Sequence, residues 1–172
     1  MSALFPFHGG LKTVRHKTES NTLPIEPGPL PRRLIVPLRQ HMGNAAKPCV
    51  QAGDRVLKGQ MIGQADGYIS AAVHAPSSGV VAAVDLQPIP HPSGLADLCV
   101  TIETDGEDRW IERQPLDYRH LHPSDLRNAL RNAGVVGLGG AVFPSAVKLN
   151  RGGHCERVET LILNGAECEP WI

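Results

Sequence analysis

Two short motifs near the end of the chain carry the residue types of a phosphate or cofactor site. Residues 135–149 read VVGLGGAVFPSAVKL, and residues 164–170 read NGAECEP. Glycines let backbone amides approach an anion with no Cβ in between, and Lys148 could neutralise the anion's charge. A helix with Pro144 in its first turn would leave the following N–H groups free to point at the anion. These features predict an anion site next to a helix end.

Known nucleotide-binding motifs match the glycine loop poorly. A Walker loop needs a serine or threonine directly after its lysine, whereas Leu149 follows Lys148. In the dinucleotide pattern G-x-G-x-x-G, Gly137 and Gly139 fit, but Val142 takes the third glycine position. From spacing alone, a glycine turn without a ligand is as good an interpretation as a phosphate site.

The second motif favours a site over a bare turn. It follows the apolar run 158–163, which predicts a buried strand, and α/β domains bind ligands at the carboxyl ends of their strands. Glu167 and Glu169 could there face a cofactor or orient a partner. A solvated acidic turn is the alternative interpretation of the same residues.

A helix is predicted directly before the glycine loop, at residues 122–134. Pro123 suits its first turn, and Gly134 is typical of a helix end. Apolar residues recur there at helical spacing: Leu126, Ala129, Leu130 and Ala133. With a second helix from Pro144 and the strand at 158–163, this order is that of the opening of an α/β domain.

Residues 34–103 have a strand-and-turn pattern instead, which predicts a small all-β unit. Short apolar runs alternate there with turns, at 34–36, 56–57, 61–62, 80–84 and 99–102. Residues 52–84 resemble the biotinyl/lipoyl-like barrel-sandwich fold, in which G-D-x-V-x-x-G-Q is followed by A-P-x-x-G-x-V. Gly53 and Gly59 are expected to allow tight reversals.

The same resemblance implies a core and a hairpin tip. The residues expected to face a shared core between two sheets are Val56, Met61, Val80 and Val84. The tip is expected at residues 65–68, where carrier proteins of this fold present a modified lysine. That segment has no lysine, and Lys58 lies inside the first half-motif. We therefore interpret the β unit as a rigid module that positions neighbouring parts.

Composition and charge narrow the possible functions. The 172 residues allow one or two domains, and Lys+Arg and Asp+Glu are 17 each. Zero net charge argues against a general nucleic-acid binder, whose phosphate contacts need a basic surface. The amino terminus does not resemble a signal peptide, and no run approaches about 20 apolar residues. We expect a cytoplasmic, soluble protein that could dock onto a membrane complex.

The cysteines predict free thiols in a reducing compartment. They are widely and irregularly spaced, with no C-x-x-C pair: Cys49, Cys99, Cys155 and Cys168. No zinc or iron–sulfur site is expected within the chain.

Taken in order, these motifs resemble the C subunit of the Rnf electron transport complex, the peripheral subunit that takes electrons from NADH. The segments that carry the resemblance are FPFHGG at 5–10, PIEP at 24–27, PLRQH at 37–41, GDRVLKGQ at 53–60, ADG at 65–67, HAP at 74–76, HPSG at 91–94, DGED at 105–108, GLGGA at 137–141, FP at 143–144 and NGAECEP at 164–170. The match runs nearly end to end.

The α/β domain of that family is similar to the NADH-binding flavoprotein subunit of respiratory complex I. That flavoprotein uses a G-R-G-G-A-G-F-P-x-G-x-K loop for FMN and NADH, with N-A-D-E-G-E-P beside it. Aligned residue by residue, the resemblance implies these cofactor-binding residues: Gly137, Gly139, Gly140, Ala141, Phe143, Lys148, Asn164, Glu167 and Glu169. No catalytic residue or metal ligand is implied within this chain.

Three positions depart from the complex I pattern. Leu138 replaces an arginine, Val142 replaces a glycine, and Ala166 replaces an aspartate. Of these, Val142 is unexpected even for an Rnf-type sequence. It could crowd a flavin or nicotinamide that approaches the loop.

The expected fold class is α+β in two parts. An extended segment at 1–33 precedes a barrel-sandwich hybrid β domain at 34–115, and residues 116–172 supply the first elements of an α/β NADH/FMN-binding domain. The family carries two 4Fe-4S clusters on cysteine runs that this sequence lacks. We therefore expect the chain to be the N-terminal part of a longer subunit, with the clusters in its missing part.

The resemblance implies a subunit on the cytoplasmic face of the bacterial inner membrane that passes electrons from NADH via FMN to 4Fe-4S clusters. Its implied partners are other Rnf subunits, both membrane and ferredoxin-like, and no nucleic acid. One alternative is a non-catalytic assembly module, because the α/β sheet is unfinished and the proline-rich segment 24–37 could dock on membrane partners. On that ground we expect the isolated chain to be inactive. A cobalamin-reductase-like flavoprotein of similar architecture is the other alternative.

Overall fold

The computed structural model describes residues 14, 16–150, 152, 160 and 162. The chain divides into two compact units, one made of residues 1–28 and 156–172 and the other of residues 29–155. The described part of the first unit holds α1 (Lys17–Ser20), followed by exposed residues up to 28. All other described helices and strands belong to the second unit. The domain boundaries expected at residues 33 and 115 stay predictions.

Seven strands of the second unit form two antiparallel sheets. The first sheet has the order β1-β7-β6-β3, with strands at Arg33–Pro37, Ala96–Thr104, Gly79–Pro88 and Arg55–Val56. The second has the order β2-β4-β5, with strands at Lys47–Pro48, Met61–Gln64 and Val73–His74. The predicted apolar runs all lie in these strands or at their ends, whereas β2 and β5 were not predicted.

The core lies between the two sheets and joins side chains from both. Its buried members are Val36, Leu38, Ala46, Val56, Ile62, Val73, Ala75, Val81, Val100 and Ile102. Each fully buried valine, leucine or isoleucine side chain of this core stabilises the fold by about 1.5–3 kcal/mol. The expected barrel-sandwich architecture is thus confirmed.

A β-bulge in β6 decides which valines face this core. The register shifts between Val81 and Ala83, so that Val81 lies opposite Ile102 and Val84 lies opposite Val100. Without the bulge, Val80 and Val84 would share one face, as the sequence predicted. The structure corrects this point, because Val80 is exposed and Val81 is fully buried. Val56 and Val84 do pack in or against the core.

The second sheet also differs in detail from the expectation. Met61 is half-buried, and the adjacent Ile62 is the residue of β4 that enters the core. The predicted reversals are confirmed, since Gly53 and Gly59 have φ values of 95° and 82°. A Cβ at Gly59 would lie 2.9 Å from the ring of Trp110.

The helical part of the second unit consists of a 3-10 turn at Tyr118–His120, α2 (Pro123–Asn132) and α3 (Ser145–Lys148). Pro123 opens α2, and Gly134 follows its end with a φ of 69°, as predicted. The apolar stripe of α2 is only half-buried, and Ala133 at its end is exposed.

The strand expected at 158–163 lies outside the described residues, except for Thr160 and Ile162, which have no regular structure. The α/β domain beyond α3 therefore stays a prediction. Among the described residues, no helix has the length and apolarity needed to cross a membrane.

Candidate functional site

The glycine loop forms a closed turn between α2 and α3. The Gly137 N–H donates to the Phe143 carbonyl at 2.9 Å, and the Val142 N–H donates to the Gly139 carbonyl at 2.9 Å. Val136 and Pro144 form an isolated antiparallel bridge at the base of the turn. The backbone of the loop is thus fixed by its own hydrogen bonds.

A cleft of about 220 Å³ lies inside this loop. It is lined by Gly137, Gly139, Gly140, Ala141, Val142, Phe143 and Lys148. The structure therefore brings together six of the predicted cofactor residues, and adds Val142. The other three, Asn164, Glu167 and Glu169, lie outside the described residues.

The positive charge of Lys148 and the backbone of the glycines determine the chemistry of the cleft. A Cβ at Gly137 would lie 2.7 Å from Lys148 Nζ, so the ammonium group rests against the loop backbone. A Cβ at Gly139 or Gly140 would meet nothing within 4 Å. The three glycines thus differ, because only a Cβ at residue 137 would meet a close neighbour, and that neighbour is the movable end of the Lys148 side chain. Lys148 makes no ion pair with any residue that the structure describes.

Two N–H groups at the start of α3 are not free, contrary to the prediction. Pro144 precedes the helix, which begins at Ser145 and makes a single turn. The Ser145 N–H donates to the Val135 carbonyl at 3.0 Å, and the Val147 N–H donates to the Pro144 carbonyl at 3.1 Å. The prediction fails for these two donors, because the base of the loop uses the first and the helical turn itself uses the second. The cationic element of the cleft is the Lys148 side chain.

Val142 adopts a backbone conformation that suits glycine. Its φ is 41°, in the left-handed region that β-branched residues strongly avoid. Its N–H and carbonyl are both used, by Gly139 and by Met42 respectively. The crowding of a flavin by this side chain stays a prediction, although Val142 does line the cleft.

The tip of the β4–β5 hairpin spans residues 65–72, four residues more than the predicted 65–68, and it contacts the end of α2. The Arg131 guanidinium donates to the Ser70 carbonyl at 3.3 Å and also to the Gly67 carbonyl. The Ala72 N–H in turn donates to the Arg131 carbonyl at 3.0 Å. In carrier proteins of this fold the tip would present a modified lysine, whereas here it anchors the end of α2.

Two more contacts fasten the glycine loop and α3 to the β sandwich. The Asn150 side-chain amide donates to the Tyr68 hydroxyl at 2.7 Å. The Met42 N–H donates to the Val142 carbonyl at 3.3 Å. The β unit thus positions its neighbours, as the sequence led us to expect. Sequence reasoning missed Arg131, Tyr68 and Met42, because each acts through a partner more than 60 residues away.

A larger groove of about 660 Å³ lies on the β unit and contains none of the predicted cofactor residues. Trp110 dominates it, with Lys58 Nζ at 5.1 Å and the Arg113 guanidinium at 4.7 Å from the ring centroid. Lys58 also donates to Asp108 at 2.5 Å, and this bond, with one from Ser77, lowers the pKa of that carboxyl. Trp110 nevertheless stays half exposed between these two cations.

His74 lines the same groove at the edge of β5. Burial lowers its pKa, and a hydrogen bond with the Asn132 backbone opposes that effect. A Cβ at Gly134, at the junction of α2 and the glycine loop, would lie 3.2 Å from the imidazole. His74 is therefore packed tightly under the start of the loop.

The described cysteines are free, with Cys49 exposed and Cys99 buried. Burial raises the pKa of both thiols. Within the described part of the chain, no three or more His, Cys, Asp or Glu side chains form a group that could hold a metal ion.

Two family models match the chain. The RnfC barrel sandwich hybrid domain matches residues 5–107, and the Nuo51 FMN-binding domain matches residues 130–172. The first covers the β sandwich. The second includes the end of α2, the glycine loop and α3.

Curated relatives match along the whole chain. The C subunit of an ion-translocating oxidoreductase complex from Pseudomonas aeruginosa is 50% identical over 173 residues, which cover 100% of this chain and 22% of the relative. The C subunits of the same kind of complex from Serratia proteamaculans and Vibrio cholerae are 49% and 44% identical over 98% of this chain. The chain spans about a quarter of the length of the curated relatives it matches.

Proposed function

Because the chain belongs to the family of C subunits of Rnf-type ion-translocating oxidoreductase complexes, we propose that its glycine-loop cleft binds the phosphate end of FMN. We propose further that FMN serves there in the oxidation of NADH by the complete subunit. The match to an FMN-binding domain over residues 130–172 supports the first part of this proposal. The NADH part comes from the resemblance to the complex I flavoprotein.

The position of Lys148 carries the proposal. Its ammonium group lies against Gly137 in the cleft and has no carboxylate partner among the described residues. A cation without a counter-charge beside an open backbone surface suits a phosphate group. Gly139 and Gly140 would let that ligand approach the chain without meeting a Cβ.

The residues present fit one part of FMN. The cleft measures about 220 Å³, below the roughly 300–1,000 Å³ of a typical small-molecule pocket. This volume suits the phosphate and part of the chain attached to it. The motif residues Asn164, Glu167 and Glu169 are expected to complete the site.

Each residue has a role in the proposal. When bound, FMN supplies the redox chemistry, which takes hydride equivalents and releases single electrons. Lys148 neutralises the phosphate charge, and Phe143 packs near the ring system. The residues assigned to the flavin are Asn164 and Glu167, and Glu169 is assigned to the nicotinamide side.

The complete subunit would pass electrons on to 4Fe-4S clusters held outside these 172 residues. Its partners would be other Rnf subunits, membrane and ferredoxin-like, on the cytoplasmic face of the inner membrane. The relatives' name, which includes a complex and ion translocation, supports a place in a membrane-associated assembly.

A second candidate function is an assembly module without catalysis. It is favoured by the size of the cleft and by the contacts of the hairpin tip, which hold α2 through Arg131 and Ala72. On this account the β sandwich presents an incomplete cofactor loop to the remainder of the subunit.

Flavin titration separates the two candidates. Purified chain is added to FMN, and quenching of flavin fluorescence is followed for the wild type, Lys148→Ala and the control Lys47→Ala. Lys47 is an exposed lysine that pairs with Asp66, outside the cleft. Saturable quenching that Lys148→Ala weakens and Lys47→Ala leaves unchanged would support the FMN site. A folded wild type that does not quench FMN would favour the assembly module.

A further inference from the structure

His41 is a buried histidine whose two ring nitrogens both contact backbone. Its side chain lies in the connection between β1 and β2, and the residue is 6% exposed. Nδ1 lies 3.0 Å from the Met42 carbonyl, and Nε2 lies 3.0 Å from the Ala71 backbone nitrogen. None of the roles assigned so far uses this residue.

The Met42 partner fixes the role of Nδ1. The Met42 carbonyl can only accept, so Nδ1 must carry a proton and donate it. Nε2 faces both backbone groups of Ala71, with the nitrogen at 3.0 Å and the carbonyl oxygen at 3.1 Å. The Ala71 N–H can only donate, so a bare Nε2 accepts from it.

The two backbone partners of His41 lie at or next to residues that hydrogen-bond the glycine loop and the helix before it. Met42 accepts from His41 through its carbonyl and donates to the Val142 carbonyl through its N–H, so both its polar backbone groups are used. On the other side, Ala72 follows Ala71 and donates to Arg131 at the end of α2. The His41 imidazole thus connects Met42, which contacts the glycine loop, with residues 71–72, which contact the end of α2.

We propose that His41 is a positioning residue that sets the shape of the glycine-loop cleft through Met42 and Val142. Its hydrogen bond holds the Met42 carbonyl, and the N–H of the same residue, in the preceding peptide group, donates to the carbonyl of the left-handed Val142. Val142 in turn closes the loop by donating to Gly139. The loop geometry follows from these contacts alone, whereas its effect on FMN rests on the proposed function.

Two isosteric substitutions separate the contacts of the ring. An asparagine amide nitrogen occupies about the position of Nδ1, so His41→Asn can keep the donor to Met42 and lose the acceptor for Ala71. A glutamine amide reaches about the position of Nε2, so His41→Gln can keep the Ala71 contact and lose the Met42 contact. Both variants disturb the same buried site, which makes each the control for the other.

Native-state hydrogen exchange without ligand is the first measurement. The exchange rate of the Met42 amide is first divided by that of a core amide such as Val100, which corrects for any change in global stability. In His41→Gln we expect this corrected rate to be about fivefold to tenfold faster than in the wild type. In His41→Asn we expect the corrected rate to stay within about threefold of the wild type. Equal corrected rates in the two variants would overturn the proposal.

The wild-type protein provides a test that needs no variant. Long-range proton–nitrogen NMR correlations of the His41 ring should show a proton on Nδ1. A ring without a proton on Nδ1 would contradict the hydrogen bond to the Met42 carbonyl and overturn the proposal even if both variants fail to fold.

Flavin titration of the same variants then connects the loop to the cofactor. We expect His41→Gln to weaken FMN binding about fivefold or more and His41→Asn to stay near the wild type. If the exchange results are as expected but the wild type binds no FMN, the proposed function fails and the positioning role stands. If FMN binds equally to both variants, His41 does not position the cleft and the proposal is overturned.

Discussion

The ammonium group of Lys148 rests against Gly137, so that a Cβ built at residue 137 would lie 2.7 Å from Nζ. This contact joins α3 to the first glycine of the loop and places a positive charge inside the cleft. It also gives the three loop glycines different physical roles, since Gly139 and Gly140 face open space.

Alanine substitutions at the loop glycines should therefore act differently. Gly140→Ala meets no neighbouring atom, so we expect the free energy of unfolding to change by less than about 0.5 kcal/mol. FMN binding should nevertheless weaken, because the new methyl group stands on the surface that the ligand approaches. Urea unfolding and flavin titration of Gly140→Ala, with Gly28→Ala as the control glycine, would measure both effects.

Gly137→Ala should push the Lys148 side chain out of its place, because a lysine end can move where backbone cannot. We expect FMN affinity to fall about as far as in Lys148→Ala, and the double variant to show no further loss. Additive losses in that double-mutant cycle would mean that the two residues act independently.

The positions of most strands were predictable from the sequence, but which side chains of β6 face the core was not. Alternating apolar runs indicate strands, yet the inward face of a strand depends on register, and the bulge between Val81 and Ala83 changes it. Such a bulge depends on pairing with β7, which a single-sequence pattern does not contain. The short strands β2 and β5 were missed because neither contains two consecutive apolar residues, whereas the equally short β3 overlaps the apolar pair 56–57.

For the site, the sequence motifs predicted which loop residues lie together in the cleft. They did not predict which contacts from the rest of the fold hold the loop. Gly137 and Lys148 line the same cleft, as the resemblance implied. The contact between Met42 and Val142 joins residues far apart in sequence, and only the fold brings them together. The Ser145 N–H at the start of α3 is not free as predicted, because local rules did not show that the base of the loop would use it.

Because of the bulge, the neighbouring residues Val80 and Val81 of β6 differ in burial, so alanine substitutions at the two positions form a matched pair. Val81→Ala removes buried methyl groups and should lower the free energy of unfolding by about 2 kcal/mol. Val80→Ala, at the exposed neighbour, should change it by less than about 0.5 kcal/mol. Urea denaturation measures both, and similar losses in the two variants would contradict the register described for β6.

Val142→Gly should change stability little. A left-handed valine stores of the order of 1–3 kcal/mol of strain, while glycine costs about 0.5–1 kcal/mol of additional chain entropy. Because a half-buried side chain worth about 1 kcal/mol is also lost, we expect the free energy of unfolding to change by less than about 1 kcal/mol in urea.

Val135→Gly is the matched control, because Val135 is partly exposed and has no positive φ, so no strain is relieved. It should destabilise the protein more than Val142→Gly does. Equal losses in the two variants would contradict the left-handed backbone at Val142. The glycine variant should in addition bind FMN more tightly, since the cleft wall loses its side chain.

Arg131→Met should loosen the end of α2. It removes the donors to the Gly67 and Ser70 carbonyls, and hydrogen bonds from charged groups to partly buried acceptors contribute about 1–2 kcal/mol in such settings. Arg127→Met, one turn earlier on the same helix, removes an arginine that makes no comparable bond to a described residue. Thermal unfolding of both variants measures the effect. A larger drop in melting temperature for Arg131→Met than for Arg127→Met would support the role of the hairpin tip in holding α2.

His74 should make stability depend on pH between about pH 6.5 and more acidic values. Burial lowers its pKa in the folded protein, so the unfolded chain, with an ordinary histidine pKa of about 6.5, binds the proton more readily. The stability contribution is therefore present above about pH 6.5 and is lost as the pH falls through the lower folded pKa. Urea midpoints measured from pH 7.5 to pH 5 should fall more steeply in the wild type and in the exposed-loop control His91→Gln than in His74→Gln. Parallel curves for all three proteins would mean that the proton is taken up elsewhere.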